Sequence, residues 1–299
     1  MGSFRSNVAI AILCLLLVAS PGLAQDKFFD SNGVRIRYIE QGTGDAIVLL
    51  HGDGGTLNGW IESGVLPNLA EHYRVIAFDA RGSGKSGKPH DVKAYGREMG
   101  LDVIRLLDHL GIRRAHIVGY SMGAHITAHL LTTHPERFIS TTLGGAAGRF
   151  RWAEDEIALR TVQEPLERER ECVSRTQIYR LAPANAPKPS EEAIKRLSAA
   201  CMANPNVDRF ALAARTRAEK DYIITPAQVQ NVKVPTLAVV GSLDGYLADF
   251  NELKKLRPEV KLVVIDDATH GGARGANRRS EFVDSVREFI ASNRTVSSR

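Results

Sequence analysis

The sequence predicts an α/β protein: a mostly parallel, twisted sheet flanked by helices, with a helical cap inserted late in the chain. Three observations carry that prediction. Six apolar runs recur between Ala46 and Ile265, near-continuous rather than alternating, the pattern of parallel strands buried on both faces. Helical patterns separate most of them, and strand–helix alternation builds βαβ units. The alternation breaks between about Gly148 and Val234 and then resumes.

In chain order, the first structural signal is a hairpin. Phe28–Asp30 and Val34–Ile39 flank Ser31-Asn32-Gly33, and Asn-Gly between β-type residues is a strong hairpin signal. The predicted parallel strands follow at Ala46–Leu50, Val75–Phe78, Ala115–Gly119, Ile139–Leu143, Thr236–Val240 and Lys261–Ile265. Met99, Val103, Leu106, Leu107 and Leu110 share one helix face, and Gly111 is a C-terminal stop. Phe282, Val283, Val286, Phe289 and Ile290 make another apolar stripe. In the interruption no strand is evident. Ala193, Ile194, Leu197, Ala200 and Cys201 form a helical face, and Val207–Lys220 also reads as helix. The domain expectation is therefore a core over 25–147 and 235–299 with a helical insertion over 148–234. Such an insertion either sits over a site as a lid, the favoured reading because loops above a sheet carry function, or is surface decoration.

The 299 residues are 43% hydrophobic and 24% charged, enough for a substantial core and no case for disorder. The net charge of +5 comes from scattered basic residues. Without a Lys/Arg stripe on one element, nucleic acid is not an expected partner. At the N-terminus, Arg5, the apolar run Val8–Val18 and the small residues Gly22 and Ala24 predict a cleaved secretory signal over 1–24, hence a secreted or periplasmic protein. The run is short for a bilayer span, which needs about 20 residues, so no stable membrane insertion is expected after cleavage; an uncleaved anchor is the alternative. Cleavage leaves Cys172 and Cys201. In an oxidising compartment they form either a disulfide or two separate buried thiols.

The chemistry starts at Gly119-Tyr120-Ser121-Met122-Gly123, a G-x-S-x-G motif. Three fixed positions are weak alone, but an apolar strand enters this one and a helical stretch leaves it, the setting of a nucleophile elbow. A Ser hydroxyl needs an adjacent base, and the base an orienting acid. Of the histidines after Ser121, only His270 lies clear of the helix following the elbow, in Ala268-Thr269-His270-Gly271-Gly272 at a strand's C-terminal end. Asp244, just past Thr236–Val240, is the natural acid. Asp249 falls in the next helix, and Asp266 and Asp267 stand too near His270 in sequence. For the oxyanion, His51-Gly52-Asp53-Gly54-Gly55 follows a strand. One donor is expected at Met122 N–H, the other at Asp53 or Gly54 N–H. A carboxylate at Asp53 is unusual there: it points away, binds something positive, or the donor is its neighbour.

These residues resemble the α/β-hydrolase superfamily of the His-Gly-x-Gly type. The order His51-Gly52, Asp79-x-Arg81-Gly82-x-Gly84-x-Ser86, Gly119-x-Ser121-x-Gly123, Asp244, His270 matches from about Phe28 to Asn293. The resemblance implies hydrolysis through acyl-Ser121, with no cofactor and a small-molecule substrate. A carboxylic ester is the expected substrate. A lactone or a carbon–carbon bond on the same triad is the alternative, and a non-catalytic ligand-binding module is the alternative of another class. A nucleophilic Ser, not Asp, argues against the dehalogenase and epoxide-hydrolase branches. Two further patterns do not complete. Gly82-Ser83-Gly84-Lys85-Ser86 would need Gly at Asp79 to be a phosphate-binding loop. His125 and His129 have zinc spacing, but Ile126 stands where the Glu should be.

Overall fold

A computed structural model of the chain describes residues 25–150, 154–183 and 187–294; the predicted leader over 1–24 lies outside them. The hairpin pairs β1 (Lys27–Ser31) with β2 (Val34–Gln41). Its two-residue turn holds Asn32 at φ 55° and Gly33 at φ 80°, the left-handed region that Asn and Gly tolerate best.

The remaining strands are β3 (Ala46–Leu50), β4 (Arg74–Phe78), β5 (Ala115–Tyr120), β6 (Phe138–Gly144), β7 (Thr236–Gly241) and β8 (Lys261–Ile265). They join β1 and β2 in one sheet of order β1-β2-β4-β3-β5-β6-β7-β8. β2 meets β4 antiparallel, and every pair from β4 to β8 is parallel. Alternate residues of one strand serve opposite layers. Val48 and Leu50 pack toward α3 (Arg97–His109) and α4 (Met122–Thr133). Ile47 and Leu49 pack toward α1 (Asn58–Glu62), α2 (Val65–Ala70) and α12 (Ser280–Ser292). The interior strands β3, β5 and β7 are thus buried along their whole length, which is why their runs read as continuous, whereas β8 at the edge leaves Lys261 and Val264 exposed. Gly111, at φ 65°, is the αL stop of α3.

Between β6 and β7 the chain forms α5 (Glu154–Ala158), α6 (Glu164–Glu171), α7 (Arg175–Leu181), α8 (Glu191–Ala203), α9 (Arg209–Arg217) and α10 (Pro226–Asn231), and α11 (Leu247–Leu256) follows β7. Ser174, Ser190 and Asp208 side chains accept backbone N–H groups at the starts of α7, α8 and α9, so each short helix has a capped N-terminus. Cys172 and Cys201 are joined in a disulfide with Cα atoms 5.9 Å apart, tying α6 to α8. The helical face expected at Ala193, Ile194, Leu197, Ala200 and Cys201 forms on α8, and little of it is buried. Ile194 alone is buried and Leu197 is 49% exposed, because the periodicity there lines clefts instead of packing on the sheet.

The strand order reverses direction at β3, between β4 on one side and β5 on the other. Ligands of open α/β sheets bind beyond the strand C-termini at such a switch point. Here that point brings the loop after β3 against the turn after β5.

Candidate active site

Ser121 sits at φ 52°, ψ −113°, between the end of β5 and the start of α4. A non-Gly residue there is strained, and two close approaches hold it. A Cβ on Gly123 would lie 2.2 Å from Leu50 O, and one on Gly119 would lie 2.3 Å from Gly123 O. Only glycines let α4 press this closely onto β3 and β5. The Ser121 N–H donates to Gly144 O at 2.8 Å, fixing the turn to β6.

The three residues expected to act together do meet. Ser121 Oγ lies 2.8 Å from His270 Nε2. His270 Nδ1 lies 2.9 Å from Asp244 Oδ2 and 3.1 Å from Asp244 Oδ1. Asp244 is buried, and its Oδ1 also accepts the Tyr246 N–H at 2.9 Å. The acceptor at Nδ1 places the imidazole proton there and leaves Nε2 free to take one from Ser121. Two neighbours brace the His270 loop. Tyr120 Oη donates to His270 O at 2.7 Å, and the Tyr246 ring stands 5.3 Å from the imidazole. His51 is not a second base. Its Nε2 accepts the Ala80 N–H at 3.1 Å and its Nδ1 donates to Gly52 O at 2.8 Å. Burial holds its pKa below the ordinary value, so it serves as a neutral brace for the glycine loop.

Of the expected oxyanion donors, Met122 follows Ser121 at the start of α4 and Asp53 follows Gly52 in the loop after β3. Neither backbone N–H donates to a described residue, so both are available to a ligand. Gly52 approaches so closely that a Cβ there would be 3.2 Å from Ser121 Cβ. The Asp53 carboxylate resolves the earlier question: it binds something positive. Arg168 donates to its Oδ2 and Arg215 to its Oδ1, and Gln177 Nε2 donates to Oδ2 at 3.2 Å. Burial works against the charge, but the two guanidiniums outweigh it and hold the carboxyl well below the usual range.

A second set of buried charges lies behind the acid. Arg180 donates to Tyr246 Oη at 2.6 Å and to Glu164 Oε1 at 3.0 Å, and Arg160 reaches the same phenol at 3.3 Å. Burial raises the Glu164 carboxyl against the pull of Arg180. Sequence reasoning named none of Arg160, Arg168, Arg180 and Arg215. They sit in an Arg- and Glu-rich stretch that reads as solvated surface, and only the anomaly of Asp53 signalled a cation.

The cavity at Ser121, about 240 Å³, is lined by Trp60, Tyr120, His270, Asn277 and Arg278 among others. A cleft of about 670 Å³ also borders His270, under Ile178, Leu181, Pro183 and Leu197. Among the described residues no group of three or more His, Cys, Asp or Glu is placed to hold a metal.

Comparison with known proteins adds the following. A family model described as "alpha/beta hydrolase fold" matches residues 45–272. The dihydrolipoyllysine-residue acetyltransferase component of an acetoin cleaving system, from Cupriavidus necator, is 37% identical over 41% of this chain and 32% of its own length. The 2-hydroxymuconate semialdehyde hydrolase of a Pseudomonas species is 37% identical over 39% of this chain and 41% of its own. The chain thus spans about a third to two-fifths of the curated relatives it matches. A solved structure described as an N-acyl homoserine lactone degrading enzyme superposes with a TM-score of 0.67 at 26% identity. It covers 88% of this chain and 100% of that one.

Proposed function

The chain belongs to the alpha/beta hydrolase fold family, and from that premise we propose that it is a serine hydrolase cleaving a carboxylic ester of a small molecule. The single observation carrying this is the unbroken relay Ser121–His270–Asp244, with contacts of 2.8 and 2.9 Å. His270 takes the Ser121 proton as Oγ attacks the ester carbonyl, while Asp244 holds the imidazole tautomer. The Met122 and Asp53 N–H groups receive the oxyanion; one such donor is worth about 3–4 kcal/mol in comparable sites. His270 then protonates the departing alkoxide, and water, with His270 as base, releases the acid from acyl-Ser121. No step requires a cofactor. The apolar cleft under α7 supports an apolar substituent on the ester. In this reading α7 and α8 act as a lid over the cleft beside His270, while the cavity at Ser121 is lined by core residues.

A second reading has its own support. The hydrolase relative named for 2-hydroxymuconate semialdehyde and the structural relative named for a lactone favour a carbon–carbon bond or a lactone on the same triad. We also place the protein outside the cytosol, a proposal supported by the Cys172–Cys201 disulfide, since such bonds persist in oxidising compartments.

The test is hydrolysis of p-nitrophenyl esters of increasing acyl length by wild type and Ser121→Ala. Turnover lost by at least about 1,000-fold in the variant is expected. Full turnover in Ser121→Ala would sink the proposal, and an inert wild type that opens a lactone would shift it to the second reading.

A further inference from the structure

We infer that Asp53 is a positioning residue, whose carboxylate, gripped by Arg168 and Arg215, aims its own backbone N–H at the oxyanion. The inference rests on the reading above that this N–H is an oxyanion donor. It goes beyond that reading by assigning a role to the side chain and to three helices between β6 and β7.

The loop that carries Asp53 has little shape of its own. Gly52, Gly54 and Gly55 flank it, Gly54 sits at φ 70°, and within the loop one backbone bond, Gly55 N–H to Gly52 O at 3.1 Å, closes it. Glycine-rich backbone samples many orientations, and an oxyanion donor must be held to one. The tether is the side chain. Arg168 comes from α6, Gln177 from α7 and Arg215 from α9, and all three donate to the one carboxylate. Their own positions are fixed in turn. Arg168 donates to Gln177 Oε1 at 2.7 Å, and Arg215 to Ser83 Oγ at 2.7 Å. The Arg168 and Arg215 side chains are 5% and 2% exposed, against 16% for Asp53. An ion pair this enclosed has fixed geometry, unlike a surface pair.

The charges are compatible with this role. One carboxylate meets two guanidiniums, so Asp53 does not bring an uncompensated negative charge to the loop that holds the donor. Asp53 therefore does not oppose the oxyanion, and its effect on the donor is one of position. It also links loop to insertion: the donor is aimed only while α6 and α9 are docked.

The experiment uses the full chain. Wild type is first titrated with an aryl boronic acid, whose tetrahedral adduct on Ser121, followed by boron NMR, imitates the charged intermediate. No Ser121-dependent adduct would overturn the parent reading, and this inference with it. With the adduct present, Asp53→Asn is expected to lower kcat by about 10- to 100-fold with KM within about threefold. Boronate affinity should weaken in parallel. Arg215→Met should fall similarly, and Asp53→Asn/Arg215→Met no further than the worse single change, because the pair acts as one unit. Arg168→Lys keeps the charge and should lose less than about tenfold. Wild-type kcat in Asp53→Asn would overturn the inference. So would a loss confined to KM with boronate affinity unchanged, or a loss matched by the fall in folded fraction in all three single variants.

Discussion

Asp244→Asn isolates one element of the relay, because the structure dictates which way the amide must face. Asp244 Oδ1 accepts the Tyr246 N–H at 2.9 Å, so the Asn oxygen belongs there. The NH2 group then occupies the Oδ2 position, 2.9 Å from His270 Nδ1. A donor at that place needs a bare Nδ1, which moves the ring proton to Nε2. Nε2–H then faces Ser121 Oγ at 2.8 Å and cannot accept its proton. The alternative flip would set NH2 against the Tyr246 N–H, leaving two donors face to face and one unpaired. An unsatisfied buried donor costs about 1–3 kcal/mol. At about 1.4 kcal/mol per factor of ten, the productive flip is populated at roughly 1–20%. The flip alone thus lowers kcat/KM about 5- to 100-fold, and losing the charge that steadies the imidazolium extends the total toward about 10⁴-fold. The assay is p-nitrophenyl ester hydrolysis, with thermal unfolding showing that the variant is folded and nitrogen NMR of His270 reporting the tautomer. A folded Asp244→Asn enzyme within fivefold of wild type would refute the assignment of Asp244 as the orienting acid.

Two further predictions concern stability. Asp249 on α11 has its carboxyl pushed up from 3.8 to about 6, first by burial and then by Glu156 and Asp244, against Arg160. A raised folded value contributes stability that is full below pH 3.8 and lost as pH rises through about 6. Wild type should therefore lose on the order of 1–2 kcal/mol between pH 4 and 6.5, relative to Asp249→Asn, once the partial exposure of the group is allowed for. Parallel unfolding-versus-pH curves for the two proteins would count against it. The Cys172–Cys201 bond spans 29 positions, and a loop of that size is worth about 3–4 kcal/mol. Denaturant unfolding of the double Cys→Ser variant should show a loss of that order, and equal midpoints would show that the cross-link constrains nothing in the unfolded chain.

The sheet was legible because parallel strands leave an unmistakable trace. Ala46–Leu50 and Lys261–Ile265 match β3 and β8 residue for residue. The hairpin was legible from Asn32-Gly33, and Ser121, His270 and Asp244 from chain order and from their places after strands. What lay beyond the sequence was the partnership of charges. Asp53 is 115 residues from Arg168 and 162 from Arg215, and an arginine on a short helix looks the same whether it meets water or a buried carboxylate. Glu164, Arg160 and Arg168 are all buried in a stretch whose composition reads as solvent-facing. The α8 stripe was legible as a helix but not for what its face meets: apolar periodicity marks a covered face or a cleft wall equally well, and Leu197 stands at a cleft.

The two ends of the helical insertion are neighbours. It leaves the sheet at the C-terminal end of β6, and α10 lies on the return to the start of β7, the parallel neighbour. Its neck closes where the Ile224 N–H donates to Arg149 O at 2.9 Å, and just past β6 the Gly145 N–H donates to Val239 O within β7 at 2.9 Å. The sheet therefore sees a closed seam, indifferent to how much chain hangs from it, and the entropy of closing a long loop grows only with the logarithm of its length. A different set of helices could be sewn onto the same seam without moving a strand. Any replacement must bring its own cations for Asp53, or meet a loop whose charge no longer has a counterpart.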